Sequence, residues 1–205
     1  MQRVVIDPVH PEPRKVRFAV EHLQKGEVLA YPTDTVYGLG CDMTERGAVD
    51  RLYHIKGMRE DRKLAFLFPT LAEVSQYAVL SDLAYQVCKK ILPGPYTVVL
   101  PAKRWVPRAL MDKRKQVGVR IPDNVVVQAI LAELGRPLVS TSATGAEGEG
   151  LGDAEDVRDR YEHQIDILVD GGLCDTAPST VIALIDDQLE ILREGKGPID
   201  IFDHL

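Results

Sequence analysis

Strand-like and helix-like hydrophobic periods take turns along almost the whole chain, and this alternation limits the fold more than any other feature. "RVVI" (3–6) reads as a short strand, and Pro13 opens an amphipathic helix, "PRKVRFAVEHLQKG". That helix carries Val16, Ala19, Val20 and Leu23 on one face and is closed by Gly26. "EVLAYP" is a strand that breaks at Pro32. "YPTDTVYGLG" (31–40) follows as a strand end running into a loop of hydroxyls, one carboxylate and two glycines. The spacing of "AVDRLYHIK" predicts a helix ending at Gly57, and "LAFLF" (64–68) is an apolar run of strand length. Thr70 with Glu73 forms a capping box before another helix. Ser81 starts a further helix that "PGP" (93–95) ends.

"YTVVLP" and "VGVRIP" are rich in β-branched residues and read as strands. Asn124 to Leu134 is helical, with Gly135 as its stop, and "PLVST" is a strand leading into the small-residue loop "SATGAEGEGLG". A charged helix (153–162) precedes "DILVD", "STVIALI" and "LEILRE". Those three strands are separated by short turns, so antiparallel pairing is expected among them. The pattern predicts one α/β domain over 1–205, built on a twisted, open, mixed sheet flanked by helices. The loop at 143–152 is the only candidate linker.

Several chemistries are excluded. There is no GxxxxGK[ST], no GxGxxG after a strand, no GxSxG and no HExxH. Cys41, Cys88 and Cys174 lie far apart without a CxxC pair, and the five histidines show no metal-ligand spacing. No apolar run approaches the ~20 residues of a membrane span, and "MQRVVIDPVH" lacks the apolar segment of a secretory signal. A cytoplasmic protein without a membrane partner is expected.

Charge is unevenly spread. The net charge of −6 divides into +9 over residues 51–120 and −15 over the rest. A basic face on an acidic body binds phosphates through local focusing of its field, although scattered solvated charges would give the same totals.

Candidate site residues collect at strand ends, which in open α/β sheets gather at one edge. They are Thr33, Asp34, Thr35 and Tyr37; Lys56, Arg59, Arg62 and Lys63; Arg120; Ser140, Thr141, Ser142 and Thr144; Ser179 and Thr180; and Arg193. Many hydroxyls, several cations and no evident nucleophile–base pair suit an anionic ligand rich in oxygens. Positioning and charge stabilisation would then carry catalysis. Each residue also has a plainer reading: Arg120 as an outward strand residue, "STS" as turn chemistry, Lys56 as a partner of a helix dipole.

The ordered blocks "YPTDTVYGLGCD", "LYHIKG", "PGPYTVVL", "VGVRIP", "STSATG", "PSTVI" and "LREG" resemble the YrdC/YciO family along nearly the whole chain. The resemblance implies a twisted open α/β sheet with a large basic concave cavity. It also implies threonylcarbamoyl-AMP synthesis from L-threonine, bicarbonate and ATP, with release of pyrophosphate, in the service of tRNA threonylcarbamoyladenosine modification and its partner proteins. By the same carry-over Thr33, Thr35, Arg120 and Ser179 look like threonine contacts. Lys56, Ser140, Ser142 and Arg193 look like nucleotide contacts, with Lys56 and Arg120 catalytic. Lys56 and Mg2+ arriving with ATP would neutralise the phosphates, and Asp34 is the nearest carboxylate for a base. Family members also bind double-stranded RNA. Here Lys103, Arg104, Arg108, Lys113, Arg114 and Lys115 are the candidate contacts, and Trp105 is a stacking or a packing residue.

Two positions depart from the synthase pattern. Met58 stands where the K-x-R motif has arginine, and Thr144 stands where S-x-N has asparagine. Both departures look like the YciO branch. The alternative reading is therefore a weakly catalytic or non-catalytic binder of double-stranded RNA or tRNA, and a third is carbamoyl-phosphate chemistry.

Overall fold

The computed structural model describes residues 1–57 and 64–203, leaving aside the side chain of Ala109. The strands, in chain order, are β1 (Gln2–Val5), β2 (Leu29–Tyr31), β3 (Gly38–Asp42), β4 (Ala65–Leu67), β5 (Tyr96–Pro101), β6 (Gln116–Arg120), β7 (Leu138–Ser142), β8 (Ile167–Asp170), β9 (Thr180–Ile185) and β10 (Gln188–Arg193). The helices are α1 (Pro13–Gln24), α2 (Arg46–Ile55), α3 (Leu71–Tyr77), α4 (Asp82–Ile91), α5 (Val125–Leu134) and α6 (Ala154–Tyr161). The strands make one ten-stranded open mixed sheet, ordered β1-β8-β2-β3-β7-β4-β6-β5-β9-β10. Among the described residues no helix is long and apolar enough to cross a membrane.

Caps end the helices much where the sequence puts them. Ser81 Oγ accepts from Ala84 N–H at 3.1 Å, and Asn124 Oδ1 accepts from Val126 and Val127 N–H. Gly135 closes α5 in the left-handed conformation, with φ 69°. Strand alternation divides the core in two. Leu29, Tyr31, Leu67, Leu138, Ile167 and Val169 face α1 and α5, whereas Ala30, Phe66, Val139 and Leu168 face the larger cluster that takes in α2, α3, α4 and α6.

Three expectations are corrected. β8 does not pair with β9; it lies parallel between β1 and β2, its Ile167, Leu168 and Val169 fully buried. Only β9 and β10 form the expected antiparallel hairpin, turned by Asp186 and Asp187 with φ 51° and 57°. The reason is burial: a wholly apolar strand is worth more in the sheet interior than beside an exposed edge. Secondly, Gly38 to Gly40, read as the end of a loop, belong to a buried central strand, β3. Thirdly, the 143–152 segment is no linker. Ala143 N–H donates to Tyr37 O and Tyr37 N–H to Leu151 O, at 2.7 and 2.8 Å.

Gly38 and Gly40 are needed because the Tyr31 ring lies across them. A Cβ at Gly40 would come within 2.5 Å of Tyr31 Oη and 2.9 Å of Val139 O. Gly40→Ala is therefore expected to destabilise by ~1–3 kcal/mol, the scale of overpacking. Gly47→Ala, on an open face of α2 with nothing within 4 Å, is expected to be neutral or to gain up to ~1 kcal/mol. Urea denaturation of the two variants measures the contrast.

Candidate active site

The site lies on a sheet face rather than at the strand-end edge the sequence suggests. α1 and α5 cover one part of their face, and a cavity of about 450 Å3 occupies another part of it. Its floor follows a row of register partners across the sheet: Ser140 opposite Ala65, Ala65 opposite Gly118, Gly118 opposite Val99. Small residues at successive positions leave the room that larger side chains would fill. Tyr31 bounds this floor, and its hydroxyl donates to Ser140 Oγ at 2.6 Å.

Arg120 rises from β6 with only 7% of its surface exposed. Its Nη2 donates to Asp34 Oδ1 at 2.6 Å and Thr35 Oγ1 at 2.8 Å, with Thr33 Oγ1 at 3.5 Å. Thr33 Oγ1 itself donates to Val36 O at 2.6 Å, holding the loop in shape. Among the described residues two buried side-chain atoms are left without partners, Arg120 Nε and Asp34 Oδ2. Buried polar groups are almost always satisfied, so an unmatched guanidinium donor on a cavity wall marks a place for a ligand acceptor.

Arg193 arrives by a different route. A bulge between Ile191 and Arg193 shifts the register of β10, so that both Leu192 and Arg193 line the cavity. Arg193 is exposed at the rim, and its Nε and Nη2 donate to Ser179 O at 3.3 and 2.7 Å. Desolvation of its guanidinium, and then repulsion from Arg120, lower its pKa from the ordinary arginine value. Arg120 and Arg193 thus share the cavity with Arg114, against Asp112 on its wall and Asp34 on Arg120, and this excess of cations favours an anion. Ser179 Oγ is within 2.9 Å of Thr97 Oγ1.

Of the sequence candidates, Thr33, Tyr37, Arg120, Ser140, Thr141, Ser142, Ser179 and Arg193 line this one cavity. Thr35 is buried behind it, on Arg120, while Thr180 is buried and bonds to Gly197 O. Lys56 stands apart: its Nζ donates to Thr144 Oγ1 at 2.6 Å and Ser142 O at 3.0 Å. Met58, Arg59, Arg62 and Lys63 lie outside the described residues. Among the basic residues of the β5–β6 connection, Arg114 reaches the cavity wall; Arg104, Arg108, Lys113 and Lys115 are exposed, and Lys103 is partly covered. Trp105 packs on Tyr77 with ring centroids 4.5 Å apart and stays 55% exposed.

Sequence reasoning missed Thr97, Tyr161 and Lys196. Thr97 was legible in principle, two positions before Val99 on the same strand face. Tyr161, in a charged helix, and Lys196, whose Nζ donates to Asp34 O at 2.6 Å, carry no local signal. Cys174 sits near Thr33, but burial pushes its thiol up to about 11, against a smaller opposing effect of a hydrogen bond from the Thr33 backbone. It is not a thiolate nucleophile at neutral pH.

The Arg120–Asp34 pair has 8% and 11% side-chain exposure. Arg120→Met is expected to cost ~3–5 kcal/mol, because it leaves a buried carboxylate alone. Adding Asp34→Asn is expected to recover part of that loss, with a coupling of ~0.5–3 kcal/mol in a double-mutant cycle followed by urea denaturation.

Residues 21–195 match the family model Sua5_yciO_yrdC, described as telomere recombination. An uncharacterized protein of Haemophilus influenzae is 41% identical over 195 residues, covering 94% of each chain. The uncharacterized protein YciO of Escherichia coli is 37% identical over 199 residues, 96% of this chain and 97% of its own. The crystal structure of E. coli YciO superposes with a TM-score of 0.93 over 98% of both chains. A threonylcarbamoyl-AMP synthase of Vibrio vulnificus is 33% identical over 180 residues, 86% of this chain and 96% of its own. Pyrococcus abyssi Sua5 complexed with L-threonine is 28% identical, with a TM-score of 0.93 over 100% of this chain and 60% of that one. The chain therefore belongs to the Sua5/YciO/YrdC family.

Proposed function

We propose that the protein makes L-threonylcarbamoyl-adenylate from L-threonine, bicarbonate and ATP, releasing pyrophosphate, for threonylcarbamoyladenosine modification of tRNA. The observation that carries this reading is the buried, unmatched Nε–H of Arg120, set beside the Thr33 and Thr35 hydroxyls in a cavity that also holds Ser179 and Arg193. A guanidinium that keeps an unmatched donor is suited to an anionic acceptor such as a carboxylate. Support comes from the synthases among the relatives and from the solved threonine complex of a structural neighbour.

In this reading Arg120, Thr33 and Ser179 hold the amino acid by its carboxylate and hydroxyl, and Thr35 holds Arg120 from behind. The neutral amine attacks carbon dioxide, or bicarbonate with loss of water, and forms the N–C bond of a carbamate. With carbon dioxide one C=O π pair moves onto oxygen and the surplus amine proton passes to solvent. A carbamate oxygen then attacks the α-phosphorus of ATP, the bond to the β-phosphate oxygen breaks, and pyrophosphate leaves. Ser140, Ser142 and Arg193 position the nucleotide. Negative charge building on the phosphates is met by Arg193 and by Lys56. Magnesium belongs to the substrate here, bound to the ATP phosphates. Among the described residues no group of three His, Cys, Asp or Glu could hold an ion, and Asp34 is already engaged by Arg120.

The test is pyrophosphate release with and without L-threonine and bicarbonate, together with mass detection of the adenylate. Release that needs both co-substrates, and that falls by at least ~10²-fold in Arg120→Ala, is the expected result. Release independent of threonine overturns the reading.

A second reading, binding of double-stranded RNA or tRNA, is favoured by Trp105. Its ring packs on Tyr77 and stays 55% exposed, in a connection whose sequence also carries Lys103, Arg104, Arg108, Lys113, Arg114 and Lys115. RNA affinity is then expected to fall steeply with salt, each phosphate contact adding ~0.7–0.9 to the log–log slope. Trp105→Ala is expected to weaken binding ~5- to 150-fold, the worth of one stacked base. A flat salt dependence sinks this alternative.

A further inference from the structure

We propose that Thr144, pinned by Tyr161, is a latch that holds the Lys56 ammonium out of the ligand cavity, so that Lys56 serves a ligand only when the latch opens. The latch is independent of the proposed reaction; its consequence for nucleotide binding rests on that reading.

Hydrogen-bond directions define the arrangement. The Tyr161 side chain is buried, and its hydroxyl donates its one proton to Thr144 O at 2.7 Å. The same oxygen is left with lone pairs only, and it accepts from Thr144 N–H at 3.2 Å and from Lys56 Nζ at 3.5 Å. Residue 144 is thereby gripped by both its amide and its carbonyl. Its hydroxyl faces Lys56, accepting from Nζ at 2.6 Å, while Ser142 O accepts a further proton at 3.0 Å. An ammonium has three protons, and here three protein oxygens stand around it.

All three oxygens are neutral. Among the described residues no carboxylate forms an ion pair with Lys56, unlike Arg51 on Asp166 or Arg136 on Asp42. The charge is solvated by dipoles and not neutralised, so a ligand anion outcompetes any one of these acceptors.

Position supplies the other half of the argument. The main cavity shares Val36, Ser142 and Arg193 with a neighbouring chamber of about 480 Å3. Thr144 lines that chamber, whereas Lys56 lines neither. The hydroxyl of Thr144 therefore holds a cation that the chamber would otherwise receive. An asparagine at this place, as the synthase motif has, offers a longer amide with its own donor, and it need not take the same grip on Lys56. Thr144 is a specificity-determining position in this view, and Tyr161 is a positioning residue that acts through it.

The experiment uses the whole protein and reads Lys56 directly. Limiting acetic anhydride is applied to wild type, Thr144→Val and Thr144→Ser, with acetylation followed peptide by peptide by mass. Lys56 is expected to react roughly tenfold faster in Thr144→Val, the loss of one hydrogen bond to a charged group, and at the wild-type rate in Thr144→Ser, which keeps the hydroxyl. Equal rates in Thr144→Val and wild type overturn the latch. If Thr144→Val does not fold, Tyr161→Phe carries the same comparison.

Calorimetric titration with magnesium-ATP separates the latch from the function. Tighter binding in Thr144→Val, cancelled in Lys56→Met/Thr144→Val, supports both. Faster acetylation with no ATP binding by any variant keeps the latch and removes the synthase reading. ATP binding with unchanged acetylation keeps the reading and removes the latch.

Discussion

The Tyr31 ring lying across Gly38 and Gly40 is the contact on which the rest of the site depends. It lets β2 turn back on itself as β3 within six intervening residues, in the middle of the sheet. The ring fills the space that two Cβ atoms would take, and its hydroxyl reaches Ser140 on β7. The loop between the strands, Pro32 to Tyr37, is thereby fixed against the end of β6. Its hydroxyls meet Arg120 there, whose burial would otherwise be prohibitive. Removing either the ring or the bare backbone beneath it would alter the loop, the arginine and the cavity floor together.

The charged residues of the molecule fall into two physical classes. Some pairs are matched and structural. Asp42, fully buried, takes three hydrogen bonds from Arg136 and two from Thr44. Burial alone would raise its pKa, but these donors outweigh that and hold it below the ordinary carboxylate value. Arg51 grips both oxygens of Asp166 and the carbonyl of Gln164 in the same manner. The cations around the cavity differ: Arg120 is paired with Asp34 but keeps an unmatched Nε, whereas Arg193 rests on a backbone carbonyl and Lys56 is surrounded by neutral oxygens. A cation satisfied only by dipoles retains its charge for a ligand.

Sheet coverage accounts for where those cations meet. Apolar stripes on α1 and α5 cover one part of a ten-stranded sheet, and the small residues Ser140, Ala65 and Gly118 lie where the cavity opens. The bulge in β10 then swings Arg193 across from an edge strand. A cavity of this kind is made by what is missing from a face, by short side chains and absent helices. That differs from the strand-end crevice of doubly wound sheets.

Much of this was legible in the residues themselves. Helix ends at Ser81, Asn124 and Gly135 follow from local capping, since a cap is decided within about one turn of chain. The candidate residues Thr33, Arg120, Ser140, Ser142, Ser179 and Arg193 were also identifiable, because hydroxyls and cations among apolar strand residues stand out from their neighbours. What local reading could not reach were relations between distant segments. Gly38 and Gly40 look like turn glycines until Tyr31 is seen against them. β8 looks like part of a C-terminal meander until β1 and β2 are found on either side of it. Lys56 looks like a free cation until Thr144 and Tyr161, 88 and 105 positions away, close around it. The sequence by itself determined most of the elements, the class of fold and the residue types available to the site, because periodicity and residue type are local properties. Strand order, the cavity on the open face and the partners of each charge were decided only by the tertiary structure, because burial and desolvation depend on which remote segments come to share the same space.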